Sequence, residues 1–278
     1  MTAPAAILAL VLAMTAVGGS ALIWLAPTWG KVRHGYEMLN AATVALLAWG
    51  AWGSLRGPVR ALDADAAAQG ELALTLLLAT AAVTGLAVIV LAVKLPPLLA
   101  RVLGIVGTAT GIASFVPVAL IRDDMGGAGG TIQGFAELLL GAGLMGGIWV
   151  GMILGHWYLV ERRLSNRYMV WMAWANVGAV VAGLGSVLLS ARNPVPCSSL
   201  EGIERTQCLS TFAPILQIGS MTIVLGLGVL ALLALISGFN VKLAREGGRS
   251  IQASTGMFYL AVILAPAVEF AAKVRYFG

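Results

Sequence analysis

Long apolar runs separated by short polar segments are the dominant pattern of the chain. Eight of these runs are each close to the roughly 20 residues that an α-helix needs to cross a bilayer. They predict membrane spans at residues 5–26, 35–54, 72–93, 102–121, 135–160, 169–189, 213–239 and 255–276. We therefore expect an all-α fold: a polytopic integral membrane bundle of about eight transmembrane helices, forming a single domain over residues 1–278. No repeat with a period of roughly 20–50 residues is evident.

Composition strengthens this prediction. Hydrophobic residues make up 59% of the 278 residues and charged residues only 10%, against roughly 25% charged residues in soluble domains. Eight spans leave room only for short loops, so we expect no soluble catalytic domain and no stand-alone enzymatic activity. The net charge of +5 is better explained by anionic lipid headgroups than by nucleic acid, because no basic stretch is interleaved with aromatic residues. The expected partners are the lipid bilayer and other membrane subunits.

The charges between the spans alternate, and this alternation predicts the orientation. The segments after the odd-numbered spans carry three acids, Glu37, Glu161 and Glu246, against ten bases: Lys31, Arg33, Lys94, Arg101, Arg162, Arg163, Arg167, Lys242, Arg245 and Arg249. The opposite side is balanced between seven bases and seven acids: Arg56, Arg60, Arg122, Arg192, Arg205, Lys273 and Arg275, with Asp63, Asp65, Glu71, Asp123, Asp124, Glu201 and Glu204. Because cytoplasmic loops are enriched in Lys and Arg, both termini are predicted to be extracytoplasmic in a bacterial-type cytoplasmic membrane.

The two cysteines of the chain fall on the side predicted to be outside. Cys197 and Cys208 both lie between the sixth and seventh spans. An oxidising compartment lets such a pair close, so we expect a disulfide. A catalytic thiol pair is disfavoured because the sequence contains no C-x-x-C motif.

Glycines recur at every fourth position of the fifth span, at Gly143, Gly147, Gly151 and Gly155. A helix face without side chains lets another helix approach closely, which is a main source of helix association in lipid. The same face can instead accommodate a porphyrin against Gly147, Gly151 and Gly155. Further glycines in the fourth span offer a packing partner for this stripe: Gly104, Gly107 and Gly111.

Two histidines suggest a cofactor. His156 follows the glycine stripe, and His34 begins the second span. Both fall in the half predicted to face the cytoplasm, and two imidazoles from different helices can ligate haem b. However, His156 lies about 9 Å inward from the next basic segment at 1.5 Å per residue, whereas His34 lies nearer to water. Interfacial or hydrogen-bonded histidines are the alternative.

A polar line at the start of the second span consists of His34, Glu37 and Asn40, each three residues apart. It can hold a quinone headgroup or relay a proton, since histidine titrates near neutrality. A solvated helix end is the alternative interpretation. No carboxylate–histidine spacing typical of a metal site occurs, so no metal is predicted.

Two carboxylates lie inside predicted spans, where ionisable residues are functional candidates. Glu137 and Glu269 fall in the same half of the membrane and can face each other, sharing a proton or binding a cation. Pro266, three residues before Glu269, is expected to open its helix locally. The alternatives are local: Glu269 can pair with Lys273 at i+4 while the lysine snorkels to the surface, and Glu137 can be an acid at a helix start.

These features support three hypotheses. The first is a membrane-embedded subunit of a larger complex, respiratory or otherwise redox-active, that binds haem b or quinone. The alternative is a small-solute or proton-coupled transporter that uses Glu137 and Glu269. The third is a structural or assembly protein without a cofactor.

Overall fold

The computed structural model describes residues 4–32, 34–161, 163–194, 201–203, 206 and 219–277. Within them all regular structure is helical, and eight helices are long and apolar enough to cross a membrane. They are α1 (Pro4–Leu25), α2 (His34–Arg60), α3 (Ala64–Ala92), α4 (Pro97–Asp124), α5 (Gly130–Val160), α6 (Asn166–Ser190), α7 (Gly219–Glu246) and α8 (Ser250–Lys273). The predicted all-helical fold with eight helices of membrane-spanning length and apolarity is confirmed for the described residues.

Several helices extend beyond the apolar runs that predicted them. α3 begins at Ala64 rather than at residue 72, and its first turns carry the acids Asp65 and Glu71. α2 continues to Arg60 rather than ending at residue 54. Hydropathy ends where charged side chains begin, whereas backbone hydrogen bonds continue through these polar turns, so these two predicted spans are too short. α8 begins earlier than predicted, at Ser250, and ends at Lys273, before residue 276. It continues through Pro266 as one helix, although a local opening was expected there.

The helices run up and down, so the start of α1 and the end of α8 lie at one end of the bundle, where Ala6 and Leu10 belong to the same buried cluster as Ala272 and Tyr276. α5 and α8 show the antiparallel arrangement directly. At one end Lys273 contacts Glu137 at 3.0 Å, and at the other end the Thr255 hydroxyl donates to the Gly155 carbonyl at 3.0 Å. We call the end with Lys273 the termini end and the end with His34 the histidine end.

The eight helices form two groups of four with the same order of neighbours. In α1–α4 each helix packs against the next and α1 also packs against α4; α5–α8 repeat this order, with α5 packing against α8. The groups meet mainly where α1 packs against α5. The likeness lies in the arrangement of the helices, because no repeat is evident in the sequence.

α1 and α5 cross at two glycines with no room for side chains. A Cβ built at Gly18 would lie 1.8 Å from the Ala142 carbonyl oxygen, and one at Gly146 would lie 2.1 Å from the carbonyl carbon of Gly18. Such close backbone approach is the known role of small residues between membrane helices. The crossing therefore depends on glycine at both positions.

The glycine stripe of α5 packs against neighbouring helices. A Cβ built at Gly147 would lie 2.5 Å from Ala179 of α6, and one at Gly151 would lie 2.2 Å from the Phe258 ring of α8. A Cβ at Gly155 would lie 3.1 Å from the Thr255 side chain, also of α8. The stripe thus forms the close helix–helix contact that was one of its two interpretations. The porphyrin hypothesis for Gly147, Gly151 and Gly155 stays a prediction, and protein side chains occupy the surface that it needs.

The glycines of α4 do not pair with that stripe, contrary to expectation. Gly104 packs against Trp24 of α1, and Gly107 packs against Thr84 of α3. Gly111 packs against Val17 and Thr80. Their small size admits bulky side chains of α1 and α3, so a shared glycine spacing did not indicate a shared interface.

Candidate functional site: a buried carboxylate–ammonium network

Three ionisable side chains from α5 and α8 meet inside the bundle, towards the termini end. The Lys273 Nζ lies 3.0 Å from Glu137 Oε1 and 3.1 Å from Glu269 Oε2. All three side chains have 0% exposed surface. The structure thus brings together the two acids that the sequence suggested as partners, and it joins them through a lysine.

The Lys273 ammonium is fully hydrogen-bonded. Besides the two carboxylates it donates to the Ser186 Oγ of α6 at 2.9 Å, so its three N–H groups have three acceptors. The Ser186 hydroxyl lies 3.1 Å from Glu269 Oε2 and 3.4 Å from the Glu137 carbonyl oxygen, to either of which it can donate. The i,i+4 pair of Glu269 and Lys273 exists, but the lysine points into the bundle and does not snorkel to the surface.

A glycine of α5 makes room for the Glu269 carboxylate. A Cβ built at Gly141 would lie 2.7 Å from Glu269 Oε2 and 2.5 Å from the sulfur of Met14. Met14, on α1, has no exposed surface. The carboxylate therefore lies beside an apolar, polarisable side chain, in a space that any larger residue at position 141 would fill.

Glu137 is also bound from its other side. Its Oε2 accepts a hydrogen bond from the Asn193 Nδ2 at 3.1 Å. The Asn193 Oδ1 accepts from the guanidinium of Arg122 and lies 3.5 Å from the Gln133 amide nitrogen. Asn193 is 1% exposed and follows the end of α6, so a residue beyond the predicted span links α4 and α6 to the carboxylate.

Arg122 is held by the glycine-rich segment between α4 and α5. Its guanidinium donates to the Ala128 carbonyl at 2.7 Å and to the Gly130 carbonyl at 3.1 Å. A Cβ at Gly127 would lie 2.7 Å from the Arg122 side chain, and Gly129 has a left-handed φ of +70°. The segment is more than a flexible connector, because its carbonyls satisfy a buried arginine.

Residues beyond α8 close the termini end. Arg275 donates to the Asn193 carbonyl, and the Tyr276 hydroxyl donates to the Gly134 carbonyl at 3.1 Å. Burial raises the pKa of the Tyr276 phenol well above its ordinary value, so the hydroxyl remains a neutral donor. Desolvation lowers the pKa of the Arg275 guanidinium, and the Glu137 carboxylate opposes this shift. Both effects follow from removing these groups from water.

The two carboxylates are held unequally. Each oxygen of Glu137 accepts a hydrogen bond from a side chain, whereas both side-chain contacts of Glu269 are made to Oε2. Among the described residues, the buried Glu269 Oε1 has no hydrogen-bond partner. Two carboxylates that share one ammonium form a coupled pair that can gain or lose a proton.

The histidines occupy the other end of the bundle. The His34 Nε2 lies 2.8 Å from the Leu91 carbonyl oxygen of α3, and the His156 Nδ1 lies 2.7 Å from the Tyr259 hydroxyl of α8. Both histidines are exposed. Each ring is thus held by a different helix, and the predicted ligation of haem by this pair stays a prediction.

The predicted polar line on α2 separates into local contacts. Glu37 is buried, and its Oε1 accepts a hydrogen bond from the Gly30 backbone nitrogen at 2.6 Å. The Asn40 Nδ2 donates to the Tyr36 carbonyl at 3.0 Å. Glu37 therefore fixes the turn before α2, while Asn40 bonds within its own helix. A quinone or proton-relay role for this line stays a prediction.

Two further predictions concern the cysteines and metal ions. Cys197 and Cys208 lie outside the described residues. Within the residues that the structure describes, no group of three or more His, Cys, Asp or Glu side chains is placed to hold a metal ion. Comparison with family models, curated proteins and solved structures finds no match for this chain. The site is therefore interpreted from its own geometry.

Sequence reasoning missed most of the residues around the two acids. The missed set is Arg122, Gln133, Ser186, Asn193, Arg275 and Tyr276. One signal was present: Arg122, Lys273 and Arg275 fall at the same end of the bundle as Glu137 and next to apolar runs. Because they were counted as loop charges, their burial was not expected. Arg122 and Lys273 are 0% exposed, and Arg275 is 7% exposed.

Proposed function

We propose that the chain is a proton-coupled membrane transporter of small solutes whose exchange centre is the network of Glu137, Lys273 and Glu269. One observation carries this proposal: three fully buried ionisable side chains are joined at 3.0 and 3.1 Å inside a bundle of membrane-length helices. Ionisable residues within membrane helices are costly to bury and commonly mark ion or proton pathways. The geometry favours this hypothesis over the redox hypothesis because it unites both predicted acids.

The proposal includes an orientation with both termini extracytoplasmic, in a bacterial-type cytoplasmic membrane. Three of the seven bases counted on that side, Arg122, Lys273 and Arg275, are buried. They therefore do not contribute positive charge to the membrane surface. When these three are left out of the count, the termini end has fewer exposed bases than the sequence suggested. The difference in the number of bases between this side and the other side, which has ten, is therefore larger.

Solute-driven proton movement in proteoliposomes tests the function. Purified protein is reconstituted with a pH-sensitive dye inside, and solute classes are added outside one by one: amino acids, monosaccharides, mono- and dicarboxylates, and polyamines. We expect at least one class to acidify the interior. We also expect Glu269→Gln to abolish this acidification, because it removes a carboxylate that can exchange a proton.

Ser20→Ala is the matched control for that experiment. Ser20 is also fully buried, but among the described residues its hydroxyl hydrogen-bonds to the Thr108 hydroxyl of α4, at 2.8 Å, and to no member of the network. Liposomes that contain Ser20→Ala should therefore acidify at the same rate as liposomes that contain the wild-type protein. Acidification by no solute class, or acidification that is unchanged in Glu269→Gln, would contradict the proposal.

A redox subunit that binds haem b or quinone is the second candidate. It is favoured by one observation: the His156 ring is oriented by Tyr259 through Nδ1, as metal-ligating histidines are oriented by a hydrogen bond to the other nitrogen. A reduced-minus-oxidised absorption spectrum of the purified protein tests it. A b-type signal that disappears in His156→Ala supports the haem form of this candidate, and a spectrum without a Soret band in folded protein removes that form.

A further inference from the structure

We infer that Glu269 carries the exchangeable proton, on Oε1, while Glu137 and Lys273 remain a permanent ion pair. This inference deepens the proposed function and rests on it for its biological meaning. The sequence and the arrangement of the acids leave open which carboxylate exchanges a proton. The hydrogen bonds around the two acids provide the distinction.

Glu137 is built to remain an anion. Its Oε1 accepts from the Lys273 ammonium at 3.0 Å and its Oε2 from the Asn193 amide at 3.1 Å. Asn193 is itself bound by two guanidinium groups, those of Arg122 and Arg275. Donors on both oxygens, backed by two positive charges, favour the ionised form of a carboxylate.

Glu269 lacks that support. Its Oε2 faces the Lys273 ammonium and the Ser186 hydroxyl at 3.1 Å each. Its Oε1 is buried and has no hydrogen-bond partner among the described residues, and the side chain lies near the Met14 sulfur at Gly141. A charged oxygen buried without a partner costs far more free energy than a neutral hydroxyl in the same place. The unpartnered oxygen is therefore the place for a proton.

Charge balance leads to the same assignment. Among the three groups in direct contact, two ionised acids would share the single ammonium of Lys273, because the guanidinium groups of Arg122 and Arg275 bind Asn193, on the Glu137 side. A proton bound to Glu269 Oε1 leaves one anion and one cation, 3.0 Å apart. The lysine still donates to Oε2, which then acts as the carbonyl oxygen of a neutral acid. Uptake and release thus move one proton to and from Oε1 and require no other reactant.

Infrared spectroscopy of the folded protein tests the assignment without any transported solute. We expect the wild-type protein to show the carbonyl stretching band of a protonated carboxylic acid, and Glu269→Gln to lack it. Any band that remains in Glu269→Gln belongs to another group; Glu37, the third buried acid among the described residues besides Glu137 and Glu269, is tested by Glu37→Gln. The wild-type minus Glu269→Gln difference is therefore the signal of interest.

Two milder variants identify the protonated acid even if Glu269→Gln fails to fold. Ser186→Ala removes the hydroxyl beside Glu269 Oε2, and Asn193→Ala removes the amide beside Glu137 Oε2. If Glu269 holds the proton, Ser186→Ala shifts the band to higher frequency and Asn193→Ala leaves it in place. No protonated-acid band in the wild type, a shift in Asn193→Ala alone, a shift in both variants or a shift in neither would overturn the inference.

The infrared experiment and the transport experiment can contradict the assignment of the proton and the proposed function independently of each other. A band that follows Ser186 in a protein that moves no protons would uphold the assignment and remove the proposed function. Proton movement that depends on Glu269, in a protein without a protonated-acid band, would uphold the function and remove the assignment.

Discussion

The two four-helix groups differ in the polar chemistry of their interiors. In α1–α4 two side-chain contacts between helices join hydroxyls: Ser20 with Thr108 at 2.8 Å, and Thr80 with Thr110 at 3.1 Å. In α5–α8 uncharged contacts also occur, Asn176 with Ser237 at 3.0 Å and Ser254 with Asn240 at 3.1 Å. Only this group, among the described residues, also joins oppositely charged side chains of different helices, at the network of Glu137, Glu269 and Lys273. The same order of helical neighbours thus holds two kinds of interior.

This difference follows from how each polar group can be satisfied. The hydroxyl of Thr108 donates to the Gly104 carbonyl of its own helix, at 2.8 Å, so it needs nothing from a neighbouring helix. A buried ammonium has three donors and no such local solution. Lys273 is satisfied only because α5, α6 and α8 bring acceptors to it. The charged interior therefore depends on several helices at once, and the hydroxyl interior does not.

The largest effect is expected from Lys273→Met. The substitution leaves Glu137 and Glu269 buried without the cation that they share, and removing one partner of a buried ion pair costs about 3–5 kcal/mol. Titration with SDS in mixed micelles, followed by loss of helical circular dichroism, measures the free energy of unfolding. A decrease in the free energy of unfolding of less than about 1 kcal/mol would show that the ion pairs of Lys273 do not stabilise the fold.

The next effect distinguishes the two carboxylates. Glu137→Gln should lower the free energy of unfolding by about 1.5–3 kcal/mol, since it removes charge-assisted hydrogen bonds to the ammonium. Glu269→Gln should cost less, because glutamine resembles the neutral acid that we assign to this position. The same SDS titration compares the two variants. Equal losses, or a greater loss in Glu269→Gln, would contradict the unequal roles of the acids.

A third effect concerns the crossing that holds the two groups together. Gly146→Ala should cost about 1–3 kcal/mol, because the added methyl overlaps the α1 backbone. Gly178→Ala is the control, since a Cβ at Gly178 has no atom within 4 Å and the gain in helix propensity is the same. The difference between the two variants isolates the overlap. If both are equally stable, α1 and α5 do not cross as described.

The smallest effect belongs to the hydroxyl interior. Ser20→Ala should cost about 0.6 kcal/mol, the typical value for a hydrogen bond between membrane helices, because Thr108 retains its bond to Gly104. A loss as large as that of Glu137→Gln would remove the distinction between the two interiors.

The fold was largely predictable from the sequence, because each helix contains an apolar run long enough for the bilayer. The segments that hydropathy missed, such as residues 64–71 at the start of α3, are polar helical turns. Their conformation depends on backbone hydrogen bonds rather than on side-chain polarity. Hydropathy also contains no information about which helices touch, so the partners of Gly104 and Gly107 were predicted wrongly.

The candidate site was predictable only in part. Glu137 and Glu269 were recognisable because acids within apolar runs are rare. Lys273 was expected at the surface because a lysine in the last turn of a helix usually reaches water. Its burial depends on Ser186 and Glu137, which are 87 and 136 residues away in the chain. Contacts over such separations leave no periodic signal in one sequence.

In the proposed function, the network exchanges protons and does more than join helices. Its most direct test is solute-driven acidification by liposomes that contain the triple variant Glu137→Gln, Glu269→Gln and Lys273→Met. Because replacing a whole buried ion network by neutral residues is often neutral for stability, we predict a folded protein that is more stable than Lys273→Met alone and that produces no acidification. Acidification at the wild-type rate in this variant would contradict the claim and leave the network a structural role only.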